Sequence, residues 1–281
     1  MCRHAAAIGP QRPLSDLLTT PPHSLRHQGR DARELLLGHT CGDGFGVAWY
    51  DGRTAGQAGA PDVYRSGRAI WEDRRLGRLA ARQEGAIILA HIRDATLPTA
   101  PRAEDAHPYT AGSLAFCHNG YLADFHATWK RAIDRATAPG FRRERVGATD
   151  SAHLFALLRT RLHQRPEDGL AGAVDHLVRW CQQHAERTGS RAQLNFLVSD
   201  GQELVATRDH AGDLATSNSL YARAGDAVGE VLLASEALDP EDDAWRPVPD
   251  GSLLRFELPQ QVVGQEALTV QAATPPTSRP S

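Results

Sequence analysis

Apolar residues along this chain fall into short unbroken runs and longer helical patterns. Residues 2–9 alternate weakly and stop at Gly9-Pro10, while 44–50 (GFGVAWY) follows the turn-like Cys41-Gly42-Asp43. The run 87–92 is apolar apart from His91, and 113–117 is a second such run. Runs of this length without alternation predict central strands buried on both faces. Their downstream ends carry Arg93 and His118-Asn119-Gly120, and polar residues directly after buried strands are where a sheet presents a site. Helices are predicted over 71–83, 122–135, 150–162 and 170–184. The third is the best signalled, with Thr149 as N-cap and Leu154, Phe155, Leu157 and Leu158 as its apolar face. Strands are expected again at 194–198, 203–207, 221–223, 231–234 and 253–258. Helical material thus lies between two strand-rich stretches, which predicts two sheets with helices packed outside them.

The stretches 52–59 and 240–245 read as surface loops, and 272–281, rich in Pro, Thr and Ser, as a disordered tail. With no internal repeat and no dividing linker, one domain over 2–260 is expected, followed by a partly disordered tail over 261–281.

Composition narrows the function classes. The 281 residues are 41% hydrophobic and 23% charged, ordinary values for a globular enzyme. Thirty-one Lys and Arg stand against thirty-four Asp and Glu, without a basic run, which argues against nucleic acid as a partner. No stretch approaches the ~20 apolar residues of a membrane span, and Ala5–Ile8 is too short for a signal-peptide core. Cys2, Cys41, Cys117 and Cys181 form no C-x-x-C pair; Cys117 and Cys181 read as packing residues. A cytoplasmic protein with reduced thiols is expected. Among thirteen histidines, His4, His91, His107 and His118 are the metal candidates, yet none sits in H-E-x-x-H or a comparable spacing. Neither a metal nor an organic cofactor is expected.

The candidate chemistry starts at Cys2, directly after Met1. Trimming of Met1 would leave a residue with both a thiol and a free α-amine, whose pKa of roughly 7.7–8.0 makes it a base near neutrality. Asn119-Gly120 offers a side-chain amide and an unhindered backbone N–H to a developing oxyanion, though Asn-Gly is also an ordinary turn signal. Arg93 can hold a carboxylate through a bidentate contact or lie on the surface. Asp150, at a helix start, can pair with a substrate ammonium or favour the helix dipole. Together they describe a pocket with an amide facing a nucleophile at one end and a zwitterionic amino-acid head at the other, which fits glutamine and γ-glutamyl compounds.

Cys2-Arg3-His4, Asp43-Gly44-Phe45-Gly46-Val47, Ala90-His91-Ile92-Arg93, Thr96, His107-Pro108-Tyr109, His118-Asn119-Gly120 and Thr149-Asp150-Ser151 occur in an order that resembles the class II glutamine amidotransferases, over roughly residues 2–260. That resemblance implies an α+β fold, the four-layer αββα sandwich of N-terminal nucleophile hydrolases. It also implies Cys2 as nucleophile with its own amine as base, and Asn119 and Gly120 as oxyanion hole. Arg93 and Asp150 would bind the γ-glutamyl carboxylate and ammonium, with Thr96 and His107 as supporting pocket residues. Within the class the chain is most similar to the stand-alone amidohydrolases of ergothioneine biosynthesis, through Pro22-His23-Ser24-Leu25, Tyr64-Arg65, Ile70-Trp71 and Ala234-Ser235-Glu236. Asp94, Asp105 and Cys41 depart from the usual pattern and bear on the substrate rather than on the reaction type.

The short tail predicts no appended synthase domain, so water would resolve a thioester and release glutamate. The expected partner is a small γ-glutamyl substrate; oligomeric state, a homo-oligomer included, stays open. Three other readings remain at this point: a glutaminase subunit feeding a separate synthase, a γ-glutamyl hydrolase of another pathway, and a binding module that keeps the fold without activity.

Overall fold

A computed structural model describes residues 2–35, 40–51, 59–94, 102–239 and 243–258. Strands β1 (Arg3–Pro13), β2 (Phe45–Tyr50), β3 (Asp62–Ser66) and β4 (Glu84–Ile92) come first, with short helices α1 (Ser15–Leu18), α2 (Leu25–Arg30) and α3 (Leu76–Arg82) among them. Strands β5 (Tyr109–Ala111) and β6 (Leu114–Leu122) lead into helices α4 (Phe125–Thr128), α5 (Lys130–Ala136), α6 (Pro139–Glu144), α7 (Asp150–Gln164) and α8 (Gly169–Thr188). The chain returns through β7 (Ala192–Ser199), β8 (Glu203–Arg208), β9 (His210–Ala211), β10 (Tyr221–Ala224), β11 (Val231–Ala234), β12 (Arg246–Pro247) and β13 (Ser252–Glu257).

One sheet runs β12-β10-β11-β1-β4-β2-β3 and the other β13-β8-β7-β6-β5, with β9 beside β7. Their ladders are antiparallel. Successive side chains on a strand point to opposite faces, and this sorts the core into three layers. Ala5, Ala7, Val47, Ile88 and Ala90 face outward from the first sheet onto Leu17, Leu25 and Leu76 of α1–α3. Phe116, Leu194, Phe196 and Val198 face outward from the second onto Leu154, Leu158, Val174 and Leu177 of α7 and α8. Between the sheets Ala6, Ile8, Ala48, Leu89, Ala115, Cys117, Leu197 and Ala206 meet. The result is the four-layer αββα sandwich. It accounts for the unbroken apolar runs of β4 and β6, since both strands are covered on each face.

Several elements differ from expectation. The helix predicted over 122–135 starts only at Phe125, because Asp124 takes a left-handed conformation (φ 52°, ψ 43°) and β6 holds its ladder to Leu122, opposite Ala192; it is divided at Trp129 into two short helices. His118-Asn119-Gly120 therefore lies within β6 and not after it. The helix predicted over 71–83 is confined to Leu76–Arg82, and β1 runs on to Pro13 past the expected stop at Gly9-Pro10. The tail and most of the 52–59 loop lie outside the described residues, as does part of the 240–245 loop.

Candidate active site

Cys2 enters the site at the start of β1. Arg3 pairs with Ile92 across the β1–β4 ladder, so Cys2 falls beside Arg93 and Asp94, where β4 ends. Its Sγ accepts from the Asp94 N–H at 3.5 Å and lies 3.7 Å from the Asp94 carbonyl oxygen. Burial pushes the Cys2 thiol above its ordinary range, against the opposing pull of the Asp94 N–H and the Arg93 charge. A thiol held this way needs a proton acceptor before it can attack.

Cys2 opens on a cavity of about 620 Å³ whose lining includes Arg93, Asp94, Asp105, His107, Gly120, Phe125 and Asp150. Arg93 is fixed through its backbone, its N–H donating to Gly44 O at 2.8 Å and its carbonyl accepting from Asp43 N–H at 3.0 Å. The side chain is nine-tenths buried, and its Nη1 has no hydrogen-bond partner among the described residues. A buried, unpaired guanidinium nitrogen is costly unless something else meets it.

Asp150 begins α7, where Thr149 accepts from Ala152 N–H at 3.1 Å as the N-cap. Its two carboxylate oxygens accept from Ser151 N–H at 2.7 Å and from Leu122 N–H at 2.9 Å. The carboxylate thus ties the helix start to β6 while still facing the cavity.

Gly120 owes its place to the edge of β6. Its ladder partner Leu194 gives its own N–H to Asp209 O, so Gly120 and Leu194 form a non-hydrogen-bonded pair and the Gly120 N–H points away from β7. The neighbouring strand β5 covers β6 only as far as Phe116. On the uncovered edge His118 N–H meets His107 Nδ1 at 3.3 Å and Leu122 N–H meets Asp150; the Gly120 N–H faces the same edge between them. A Cβ at Gly120 would collide with Gln193 O and His118 Nε2, so only glycine fits. A Cβ at Gly46 would likewise strike the His107 carbonyl, so glycine lets the His107 segment lie against β2.

The Asn119 side chain points into the layer between the sheets, on the face of β6 that carries Ala115 and Cys117. It is fully buried. Its Nδ2 donates to Ser235 Oγ at 3.1 Å and its Oδ1 accepts from Asn218 Nδ2 at 3.3 Å, leaving one amide N–H uncommitted among the described residues. The pair therefore combines a side-chain amide on the inter-sheet face with a backbone N–H in the plane of the sheet. Thr96 lies outside the described residues.

The histidines pack and orient. His118 Nε2 meets the Gln193 carbonyl at 2.8 Å, which fixes the proton on Nε2 and makes Nδ1 the acceptor from Ser151 Oγ at 2.9 Å. His91 Nε2 donates to His118 O at 3.1 Å, and burial lowers its pKa to about 3. The His107 ring packs in tilted contacts with ring centres 4.2 Å from His91 and 4.6 Å from Tyr109, and burial holds it neutral. No group of three or more His, Cys, Asp or Glu among the described residues is arranged to hold a metal. Cys41 is buried with its thiol pushed up to about 12, and burial raises Cys117 well above its usual range.

With this geometry in view, the family profile of class-II glutamine amidotransferases matches residues 23–280. The chain belongs to that family. This amidotransferase is 32% identical to the gamma-glutamyl-hercynylcysteine sulfoxide hydrolase of Mycobacterium tuberculosis, over 95% of its own length and 97% of the relative's. It is 28% identical to a probable glutamine amidotransferase of Saccharomyces cerevisiae, over 92% of its length and 82% of that protein. Among solved structures, a glutamine aminotransferase class-II domain protein from Silicibacter pomeroyi shares the fold with a TM-score of 0.65 at 24% identity, covering 98% and 99% of the two chains. The amidotransferase is an amide-bond hydrolase. No helix among its described residues is long and apolar enough to cross a membrane.

Sequence reasoning missed Ser235, Asn218, Gln193 and the Asp94 N–H as partners of the site. Ala234-Ser235-Glu236 was visible as a motif, yet nothing in the sequence pairs Ser235 with Asn119.

Proposed function

We propose that this chain hydrolyses a γ-glutamyl amide through a thioester on Cys2 and releases glutamate, with γ-glutamyl-hercynylcysteine sulfoxide as its substrate. The observation that carries this reading is Arg93, a buried cation whose Nη1 has no partner among the described residues, in the same cavity as Cys2 and Asp150. A glutamyl head offers its α-carboxylate to Arg93 and its α-ammonium, a charge partner, to the Asp150 carboxylate. The relatives named for that sulfoxide align along nearly the whole chain and support the substrate.

In the proposed cycle, loss of Met1 exposes the Cys2 α-amine. That amine takes the thiol proton as sulfur attacks the γ-carbonyl carbon. The oxyanion receives the Gly120 N–H and the free N–H of the Asn119 amide. The carbon–nitrogen bond then breaks, and the α-ammonium gives its proton to the departing amine. Water, deprotonated by the same amine, attacks the thioester, and sulfur leaves and regains its proton as glutamate is freed. Each step uses groups of the chain and water. A cytoplasmic, reducing setting suits a nucleophilic thiol, and none of the four cysteines is in a disulfide.

Intact-mass spectrometry before and after a γ-glutamyl electrophile, with glutamate release from glutamine and from γ-glutamyl thioethers, tests the reading. A mass lacking Met1, one adduct on Cys2 and preference for the thioether are expected. A retained Met1 in an active enzyme would overturn it.

A further inference from the structure

One buried hydroxyl touches both the nucleophile's strand and the amide of Asn119. The β1–β11 ladder pairs Ala5 with Ala234, so the next rung would exchange two backbone bonds between His4 and Ser235. Only one of them forms: Ser235 N–H donates to His4 O at 2.9 Å. In place of the Ser235 carbonyl, Ser235 Oγ takes the His4 N–H, also at 2.9 Å. The same oxygen accepts the Asn119 amide at 3.1 Å. Ser235, His4 and Asn119 are all fully buried. Because Asn218 Nδ2 donates to Asn119 Oδ1, the Nδ2 side of that amide is the one turned to Ser235.

The substitution of hydroxyl for carbonyl lets the chain leave the sheet, and Glu236 then reaches the opposite face of β1. There Glu236 Oε1 lies 2.9 Å from Arg3 Nε, close enough for an ion pair though not aligned as a hydrogen bond. Glu236 also accepts from the N–H groups of Arg33 and Glu34 and meets His23 Nε2 at 2.6 Å. Residues 3 and 4, which follow the nucleophile, are held on both faces by one dipeptide.

We propose that Ser235 is a positioning residue for the reaction: by accepting from His4 N–H and from the Asn119 amide, its Oγ sets the oxyanion donor in register with Cys2. This rests on the roles of Cys2 and Asn119 proposed above. Loss of the oxygen unpairs two buried donors and frees the Asn119 amide to turn, while Arg93 and Asp150 are untouched.

The test compares S235A, N119A and the double variant. It reads kcat and KM for glutamate release from γ-glutamyl p-nitroanilide, and the rate of Cys2 alkylation by iodoacetamide, which passes through no oxyanion. In S235A, kcat should fall about 10- to 100-fold, with KM and alkylation within about twofold of wild type. Adding S235A to N119A should cost nothing further. An equal loss with and without the Asn119 amide, or a parallel fall in alkylation, would reduce Ser235 to a prop for the strand and overturn the inference. So would wild-type kcat in S235A. If N119A alone keeps wild-type kcat, the oxyanion reading fails and the inference with it; if N119A is impaired and S235A is not, the inference alone fails. Should S235A fold poorly, S235C, similar in size with a weak acceptor sulfur, is read by the same ratios.

Discussion

The space between the two sheets has an apolar half and a polar half, built from the same strands. On β1 the inward positions Ile8 and Ala6 are followed by His4; on β4, Ile87 and Leu89 by His91; on β6, Ala115 and Cys117 by Asn119; and on β7, Leu197 stands two residues from Asn195. A step of two residues along each strand changes the layer from hydrocarbon to imidazole, amide and hydroxyl. The polar groups are as deeply buried as the apolar ones; hydrogen bonds such as Asn195 Nδ2 to Asn218 O at 2.8 Å offset part of their cost, while neither ring nitrogen of His4 has a partner among the described residues. The apolar half resists unfolding, and the polar half holds donors where a cavity can use them.

Substitutions should separate the two halves. The largest effect is expected at the cavity: Cys2→Ala should abolish glutamate release, while Cys117→Ala, in the apolar half, should retain it. Loss in the second and survival in the first would reverse the assignment of the nucleophile. Next, Arg93→Lys removes a bidentate fork and should raise KM roughly 10- to 100-fold, whereas an unchanged KM would detach Arg93 from the carboxylate. In the apolar half, Leu197→Ala should lower unfolding free energy by about 2–5 kcal/mol and leave KM unaltered, as read by urea denaturation and steady-state rates.

The remaining effect is one of pH, and the smallest change is the share of it that a single histidine carries. Burial holds His4, His91 and His107 below their usual value of 6.5, with His91 at about 3. Below about pH 6.5 the unfolded chain takes up protons that the folded one refuses. Stability should therefore be fullest above that pH and decline as pH falls towards 3, by at most about 1.4 kcal/mol per unit for each histidine. Urea midpoints at pH 7, 6 and 5 measure the slope, and His91→Gln should flatten it. An identical slope in that variant would remove His91 from the set.

The chain order of the motifs was legible in the sequence, and so were the covered strands β4 and β6, because an apolar run of that length without alternation suits a strand buried on both faces and little else. Helix α7 was legible through Thr149. The break at Asp124 was not, since a left-handed aspartate is set by how β6 ends and α4 begins and not by its own propensity. The direction of the Asn119 side chain follows from strand alternation once β6 is known to continue to Leu122, which its sequence did not announce. Ser235 stands 116 residues from Asn119, and a contact at that separation belongs to topology. Gln193, whose carbonyl fixes the His118 tautomer, was hidden in the same way.

The shortness of β5 leaves the Gly120 N–H without a ladder partner among the described residues. Its ladder with β6 stops at Phe116, and beyond that point a histidine ring, not another backbone, receives the His118 N–H. A descendant whose β5 pairing reached as far as Gly120 could keep each side chain named above and still fall silent, its amide hydrogen absorbed into ordinary sheet. Chemical competence in such a lineage would be decided by where a neighbouring strand halts.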